Sequence, residues 1–195
     1  MARPIAVAIT GGIGAGKSEA LRAFARHGAA TVSSDEIVHH LLRRPDVRDA
    51  VVAHMGNGIV SPDGEIDRGA LATVVFNDRE ALAWLEETLH PLVAAEYLQW
   101  RDQLADLPGA PAVCVTEVPL LYETGGEERF DKVVVITAPT KLRRARSEVA
   151  ADDRESRLLD DREKVERADY SYTNIGTVEE LDAFVGSVMR DLVPA

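Results

Sequence analysis

Eight consecutive residues near the start of the chain have the types and spacing that bind a polyphosphate. Residues 11–18 read GGIGAGKS and match the pattern G-x-x-x-x-G-K-[ST] in full. A short apolar run precedes them and a helical pattern follows, which is the context that such a loop requires. A triphosphate is compact and strongly anionic, and successive backbone N–H groups at a helix N-terminus hold it without adding bulk. The segment therefore predicts a nucleotide-binding P-loop.

The positions of this loop have separate expected roles. Glycines let the backbone curl in conformations that other residues rarely adopt. Lys17 is expected to reach the β- and γ-phosphates of ATP, and Ser18 is expected to ligate Mg²⁺. The residues that the motif predicts to bind the nucleotide are Gly12, Ile13, Gly14, Ala15, Gly16, Lys17 and Ser18. The motif does not choose a reaction, because GTPases, ATPases and kinases share it.

Asp35 is the best candidate for the group that orients, and can deprotonate, the hydroxyl that a kinase phosphorylates. It follows the second predicted strand and should emerge at the carboxyl edge of the sheet, where open α/β sheets bind ligands. The alternative is that Asp35 only caps the helix that follows, at or near its N-cap. The two roles can hold together.

Glu117 ends a predicted strand that is otherwise apolar. A carboxylate is costly to bury without a partner, and Mg²⁺, held directly or through water, would supply one. The alternative is an ordinary exposed strand end, and the sequence leaves both open.

Arginines follow the next strand in a densely charged stretch. Phosphoryl transfer builds charge on the γ-phosphoryl oxygens, and arginine from a closing lid neutralises it. The alternative is a solvated helix with internal ion pairs, because acids are interleaved throughout. We expect at least one of these arginines to contact ATP; the candidates are Arg143, Arg144, Arg146, Arg154 and Arg157.

Strands and helices alternate along the chain around one helical block, which predicts an α/β fold with a parallel sheet and a helical insertion. The predicted strands are 4–10, 29–32, 112–118, 132–137 and 170–174. The predicted helices are 17–26, 36–44, 47–55, 68–106 with a break at 77–78, and 177–192. The last begins with a capping-box pattern, and His90-Pro91 predicts a kink or junction.

Composition narrows the classes of protein. The 195 residues carry a formal net charge of −11, which argues against a nucleic-acid binder. No apolar run approaches the ~18 residues of a membrane span. The single cysteine, Cys114, lies in an apolar strand and is expected to be a buried thiol. We expect a cytoplasmic protein, acting as a monomer, with no nucleic-acid or membrane partner.

An ordered set of further motifs resembles the dephospho-coenzyme A kinases. The resemblance covers nearly the whole chain and is more specific than the P-loop alone. Its main segments are 9–18, 32–37, 63–68, 89–91 and 118–123, with residues 138–139, 168–169, 174 and 176 fitting as well.

This resemblance implies ATP-dependent phosphorylation of the ribose 3′-hydroxyl of dephospho-coenzyme A, the last step of coenzyme A biosynthesis, with ATP and Mg²⁺. It implies a P-loop kinase fold in which a parallel β-sheet core flanked by helices carries a helical substrate-binding insertion and a small lid. The implied divisions are a core of about 1–35, 110–140 and 168–195, a helical substrate domain of about 36–108, and a lid of about 141–167.

Individual roles carry over from the matching segments. Asp35 would be the base and Arg146 the arginine at the start of the lid. Arg68, His90 and Thr10 would lie on the substrate side, together with Asp35. Asn174 would contact the nucleotide, and Glu117 and Ser18 are the metal ligands expected from the residues themselves.

The chain also departs from the family pattern. Ser33 stands where the family usually has an acid, and Leu158 stands where glutamine is common. The stretch between Arg146 and Arg154 is several residues shorter than usual and lacks an expected Arg-Asp pair. Two alternatives follow: another P-loop small-molecule or nucleotide kinase, or a non-catalytic ATP-binding relative because the lid is atypical.

Overall fold

The computed structural model describes residues 3–146 and 159–194. The chain divides into an α/β unit, Met1–Ser34 with Trp100–Ala195, and a helical unit, Asp35–Gln99. The lid positions Arg154, Arg157 and Leu158 lie outside the described residues.

Five parallel strands form the sheet of the α/β unit. They are β1 Ile5–Thr10, β2 Ala30–Ser33, β3 Val113–Glu117, β4 Lys132–Thr137 and β5 Tyr170–Thr173. Their spatial order is β2-β3-β1-β4-β5, and every neighbouring pair is parallel. The central strands read as continuous apolar runs because a parallel sheet is covered on both faces. The predicted α/β fold is confirmed.

Eight α-helices are assigned among the described residues. They are α1 Lys17–Arg26, α2 Ser34–Leu41, α3 Pro45–Met55, α4 Arg68–Asn77, α5 Arg79–Ala105, α6 Thr140–Arg146, α7 Asp161–Arg167 and α8 Val178–Leu192. Short 3-10 turns occupy 57–59 and 127–129. The capping box that opens α8 is formed by Thr177 and Glu180, as predicted.

Alternating side chains of β1 supply two apolar cores in the α/β unit. Val7 and Ile9 face a cluster that includes Phe24 of α1 and Val185 of α8. Ala8 faces the opposite side, in a cluster with Leu121 and Tyr122 among its members. Both faces of β1 are therefore packed, which holds the strand in place. The P-loop begins at the carboxyl end of this strand.

Two predicted interruptions of the helices in the helical unit have different outcomes. The Asp78 carboxylate accepts from the backbone N–H groups of Glu80 and Ala81 at 2.9 and 3.1 Å, which confirms the predicted break between α4 and α5. His90-Pro91 is predicted to be a kink or a junction. A junction is wrong, because α5 runs through Pro91, and the kink stays a prediction. Proline removes one backbone donor, and a helix of 27 residues retains enough other bonds and packing to continue. No helix that the structure describes is both long and apolar enough to span a membrane.

Cys114 lies inside β3 and is 3% exposed, as predicted. Burial raises the pKa of its thiol to about 11. Because the folded-state pKa lies above that of an unfolded chain, the thiol favours folding below about pH 8.5 and this contribution is lost as the pH rises toward the folded value.

We expect a thiol reagent at pH 8 to label native Cys114 at least about 100-fold more slowly than the urea-unfolded chain, because the thiolate is the reactive form. Release of a chromogenic thiol would measure both rates, and the signal is unambiguous because the chain has one cysteine. Equal rates would contradict the buried position.

Candidate active site

The P-loop connects β1 to α1 and needs glycine at particular points. Gly11, Gly14 and Gly16 have φ angles of 141°, 73° and 104°, which side chains other than hydrogen rarely allow. A Cβ at Gly11 would also overlap the carbonyl oxygen of Ile136 in β4. The loop is therefore curled tightly against the sheet, with the N-terminus of α1 directly behind it.

Lys17 projects back over this loop from the first turn of α1. It is 9% exposed, and its Nζ donates to the carbonyl oxygen of Gly12 at 3.1 Å. An ammonium group held in such a place is stabilised by any anion that the loop receives. The structure thus puts the predicted phosphate-binding lysine at the loop.

Ser18 and Glu117, the two predicted metal ligands, are brought together. The Ser18 hydroxyl oxygen lies 3.5 Å from Oε1 of Glu117. Glu117 pairs in register with Ile9 and Ser33, so it stands at the carboxyl ends of three adjacent strands. It is 9% exposed, so the alternative of an exposed strand end is wrong. A hydroxyl and a carboxylate are oxygen donors of the kind that Mg²⁺ prefers.

Asn174, which follows β5 directly, holds the P-loop through a hydrogen bond. Its side-chain Nδ2 donates to the carbonyl oxygen of Ala15 at 2.9 Å, and its own backbone N–H donates to Thr137 at 2.7 Å. It is 7% exposed. Arg146, at the end of α6, donates through Nη1 to the carbonyl oxygen of Asn174 at 3.1 Å. Asn174 therefore supports the loop backbone, a role that the sequence motif did not distinguish from contact with the nucleotide.

Replacing Asn174 with aspartate is expected to raise KM for ATP about tenfold. The change keeps the shape but removes the donor, and an unsatisfied buried carbonyl at Ala15 costs roughly 1–3 kcal/mol. Steady-state kinetics at saturating acceptor would measure it. Asn77→Asp is the matched control, because Asn77 lies in the helical unit and donates to Thr73 of its own helix. An unchanged KM for ATP would contradict the supporting role.

Arg143 packs on the P-loop itself. A Cβ added at Gly12 would overlap the Arg143 guanidinium, and one added at Gly14 would lie 2.6 Å from the Arg143 carbonyl oxygen. Sequence reasoning had named Arg143 only as one of five arginines in a charged stretch. The pattern of charges in the sequence could not predict this contact, because the contact depends on the direction that α6 takes after β4.

Asp35 and Arg68, which are both predicted to lie on the acceptor side, line one cleft of the helical unit with Glu36, His39 and His40. Asp35 is exposed and lies within the first turn of α2. The helix begins at Ser34 rather than at residue 36, so Asp35 is inside the helix and not its cap. The Ser34 hydroxyl donates to the carbonyl oxygen of Glu117 at 2.8 Å, which explains the earlier start.

Two other predicted substrate residues have different surroundings. His90 is exposed on α5, and among the described contacts none joins it to Asp35 or Arg68. Thr10 is fully buried, and its hydroxyl donates to the carbonyl oxygen of Pro119 at 3.2 Å. This bond favours a structural role for Thr10 over contact with a substrate.

An ion pair joins Glu123, the last residue of the segment 118–123, to Lys164, which the sequence did not single out. Lys164 of α7 is fully buried, and its Nζ lies 2.7 Å from Oε1 of Glu123. The same carboxylate oxygen accepts from the backbone N–H of Leu159 at 2.9 Å. Within α7 Lys164 looks like any solvated charge, and only the tertiary fold shows that it anchors this helix.

Comparison with known proteins shows the family of this chain. The family model for dephospho-CoA kinase matches residues 5–180. The chain belongs to the dephospho-CoA kinase family.

Relatives and solved structures agree with that membership. A dephospho-CoA kinase of Protochlamydia amoebophila is 37% identical over an alignment of 194 positions that covers 95% of each chain. A crystal structure from Thermus thermophilus covers 98% of this chain and 100% of its own, with a TM-score of 0.78 and 29% identity. A dephospho-CoA kinase from Campylobacter jejuni has a TM-score of 0.70 at 25% identity and covers 100% of both chains.

The predicted family, fold class and enzyme class are therefore confirmed. As a member of the dephospho-CoA kinase family the chain is a P-loop kinase, and ATP is the phosphoryl donor that the family implies. The alternatives of another small-molecule kinase and of a non-catalytic relative are not favoured. The individual roles of the site residues remain predictions.

Proposed function

We propose that this protein transfers the γ-phosphoryl group of ATP to the ribose 3′-hydroxyl of dephospho-CoA, giving CoA and ADP in the last step of CoA biosynthesis. The observation that carries the proposal is the arrangement of Lys17, Ser18 and Glu117 around a complete P-loop, in a chain of the dephospho-CoA kinase family.

The P-loop would hold the triphosphate through its backbone N–H groups, with Lys17 bridging the β- and γ-phosphates. Asn174 and Arg143 would keep the loop in its curled shape before ATP arrives. A loop that is already in its bound shape loses little conformational entropy on binding, which favours affinity. The nucleotide-binding residues of the proposal are Gly12, Ile13, Gly14, Ala15, Gly16, Lys17, Ser18 and Asn174.

Ser18 and Glu117 would hold Mg²⁺, and their oxygen atoms suit this hard cation. Kinase sites bind Mg²⁺ through one or two protein ligands and the substrate phosphates, so two donors suffice. When bound, the ion would neutralise charge on the β- and γ-phosphate oxygens. The Ser18 hydroxyl and the Glu117 carboxylate, 3.5 Å apart at Oε1, would share this role.

Asp35 would accept the proton of the 3′-hydroxyl as its oxygen attacks the γ-phosphorus. The new O–P bond forms while the bond to the β,γ-bridging oxygen breaks, and ADP leaves with the electron pair of that bond. Arg146 would offset the charge on the transferred group, and its contact with Asn174 supports a place beside the P-loop. Arg68 is assigned to the acceptor, with His90 and Thr10 as secondary candidates.

ADP release from Mg²⁺–ATP, measured with and without dephospho-CoA, tests the proposal. Adenosine monophosphate is the control acceptor, because it carries a ribose 3′-hydroxyl without the pantetheine part. We expect release that depends on dephospho-CoA and is at least about 100-fold slower with the control, as when binding energy of the remote part of a substrate is lost. Equal rates, or no release while ATP still binds, would overturn the assigned acceptor.

We also propose that the protein acts as a cytoplasmic monomer without a nucleic-acid partner. The net charge of −11 supports the last point, since phosphate backbones repel an acidic surface. Sedimentation velocity with and without duplex DNA would test the monomeric state and the lack of nucleic-acid binding.

A further inference from the structure

A side-chain contact joins α2 and α4 in the cleft that holds Asp35. Nη1 of Arg68 lies 2.9 Å from Nδ1 of His39. The other groups that line the cleft are Asp35, Glu36 and His40, so two carboxylates and a second imidazole face the pair. His39 is half-buried, whereas Arg68 is exposed.

The chemistry of the pair determines the state of the imidazole. A guanidinium has only N–H donors and stays charged at every accessible pH. Nδ1 of His39 must therefore present a lone pair, and the ring is neutral with its proton on Nε2. The contact restrains the long Arg68 side chain, which would otherwise populate many rotamers in water.

We propose that His39 is a positioning residue for the acceptor, acting through Arg68. The inference rests on the proposed function, in which Arg68 binds the acceptor. Nδ1 takes one donor of the guanidinium and leaves the remaining donors directed at an anionic or hydroxyl oxygen of the substrate. The restraint lowers KM for dephospho-CoA, because less side-chain entropy is lost when the substrate binds.

His39→Ala is expected to raise KM for dephospho-CoA about tenfold, with kcat within about threefold of wild type and KM for ATP within about twofold. His39→Asn restores an acceptor near the position of Nδ1 and should recover most of the loss. The exposed contact contributes little to folding, so all three proteins should unfold at similar temperatures.

A double-mutant cycle separates action through Arg68 from any other role. Arg68→Ala should raise KM for dephospho-CoA, and adding His39→Ala should change it by less than about twofold. His40→Ala is the matched comparison, since it removes the same ring at the next position, and its effect should be less than a third of that of His39→Ala.

Three results would overturn the positioning role: an unchanged KM for dephospho-CoA in His39→Ala, a full effect of His39→Ala in the Arg68→Ala background, or no rescue by asparagine. Wild-type turnover that does not depend on dephospho-CoA would instead overturn the proposed function, and the proposed role of His39 with it. Dephospho-CoA-dependent turnover with any of the three results would leave the function standing and remove His39 alone.

Discussion

Lys17→Ala is expected to lower kcat by about a thousandfold and to weaken ATP binding. The ammonium lies at the P-loop, 3.1 Å from the carbonyl oxygen of Gly12, where the β- and γ-phosphates are expected. Loss of one preorganised donor to a developing charge costs about 10²–10³ in rate, and Lys17 would also hold the ground-state triphosphate. The kinetics of ADP release and the calorimetric affinity for Mg²⁺–ATP would measure the two effects.

Two further variants sharpen this test. Lys17→Arg keeps the charge but replaces a compact ammonium with a planar fork, so it should recover little activity if the position is as tight as the structure indicates. Lys141→Ala removes an exposed lysine from the first turn of α6 and controls for net charge. Unchanged affinity for ATP in Lys17→Ala would contradict the placement of this side chain.

Asp35→Asn is expected to reduce kcat at least about 100-fold and to leave the affinity for ATP within about twofold. General-base catalysis contributes about 10²–10⁴ in rate, and asparagine keeps the shape of the side chain while losing the ability to accept a proton. Single-turnover transfer measured at saturating ATP and dephospho-CoA would report the chemical step directly.

The matched control for this change is Asp49→Asn, an exposed carboxylate of α3 that pairs with its neighbour Arg48 at 2.9 Å. It alters the charge of the same helical unit by the same amount, and its kcat should stay within about twofold of wild type. Retained turnover in Asp35→Asn would remove Asp35 from the role of base. The acceptor would then have to lose its proton to water or to the phosphate itself.

The sequence predicted local structure correctly where the interactions that form it lie within a few residues of one another. The P-loop pattern could be read directly because glycine is the residue that tolerates the positive φ angles at positions 11, 14 and 16. Thr177 and Glu180 form their capping box within four residues, so their pairing needs no other part of the chain. The parallel arrangement of the sheet followed from strands that alternate with helices, and the central strands β1, β3 and β4 from their apolar runs.

Boundaries were less well determined where the tertiary structure competes with local preference. The start of α2 moved to Ser34 because its hydroxyl finds a partner on Glu117, 83 residues away. The expected junction at Pro91 does not form, because α5 continues through this residue. In both places a long-range contact or the packing of a long helix outweighs a local preference of about 1–3 kcal/mol.

The sequence by itself determined the family, the P-loop chemistry and the residue types available for transfer. Only the tertiary structure decided which distant groups meet: Ser18 with Glu117 across 99 residues, and Asn174 with the P-loop across 159. It also paired His39 with Arg68, and Lys164 with Glu123. The physical reason is that the chemistry of a side chain can be read from its type, whereas its partner depends on the register of strands and the packing of helices far away in the chain.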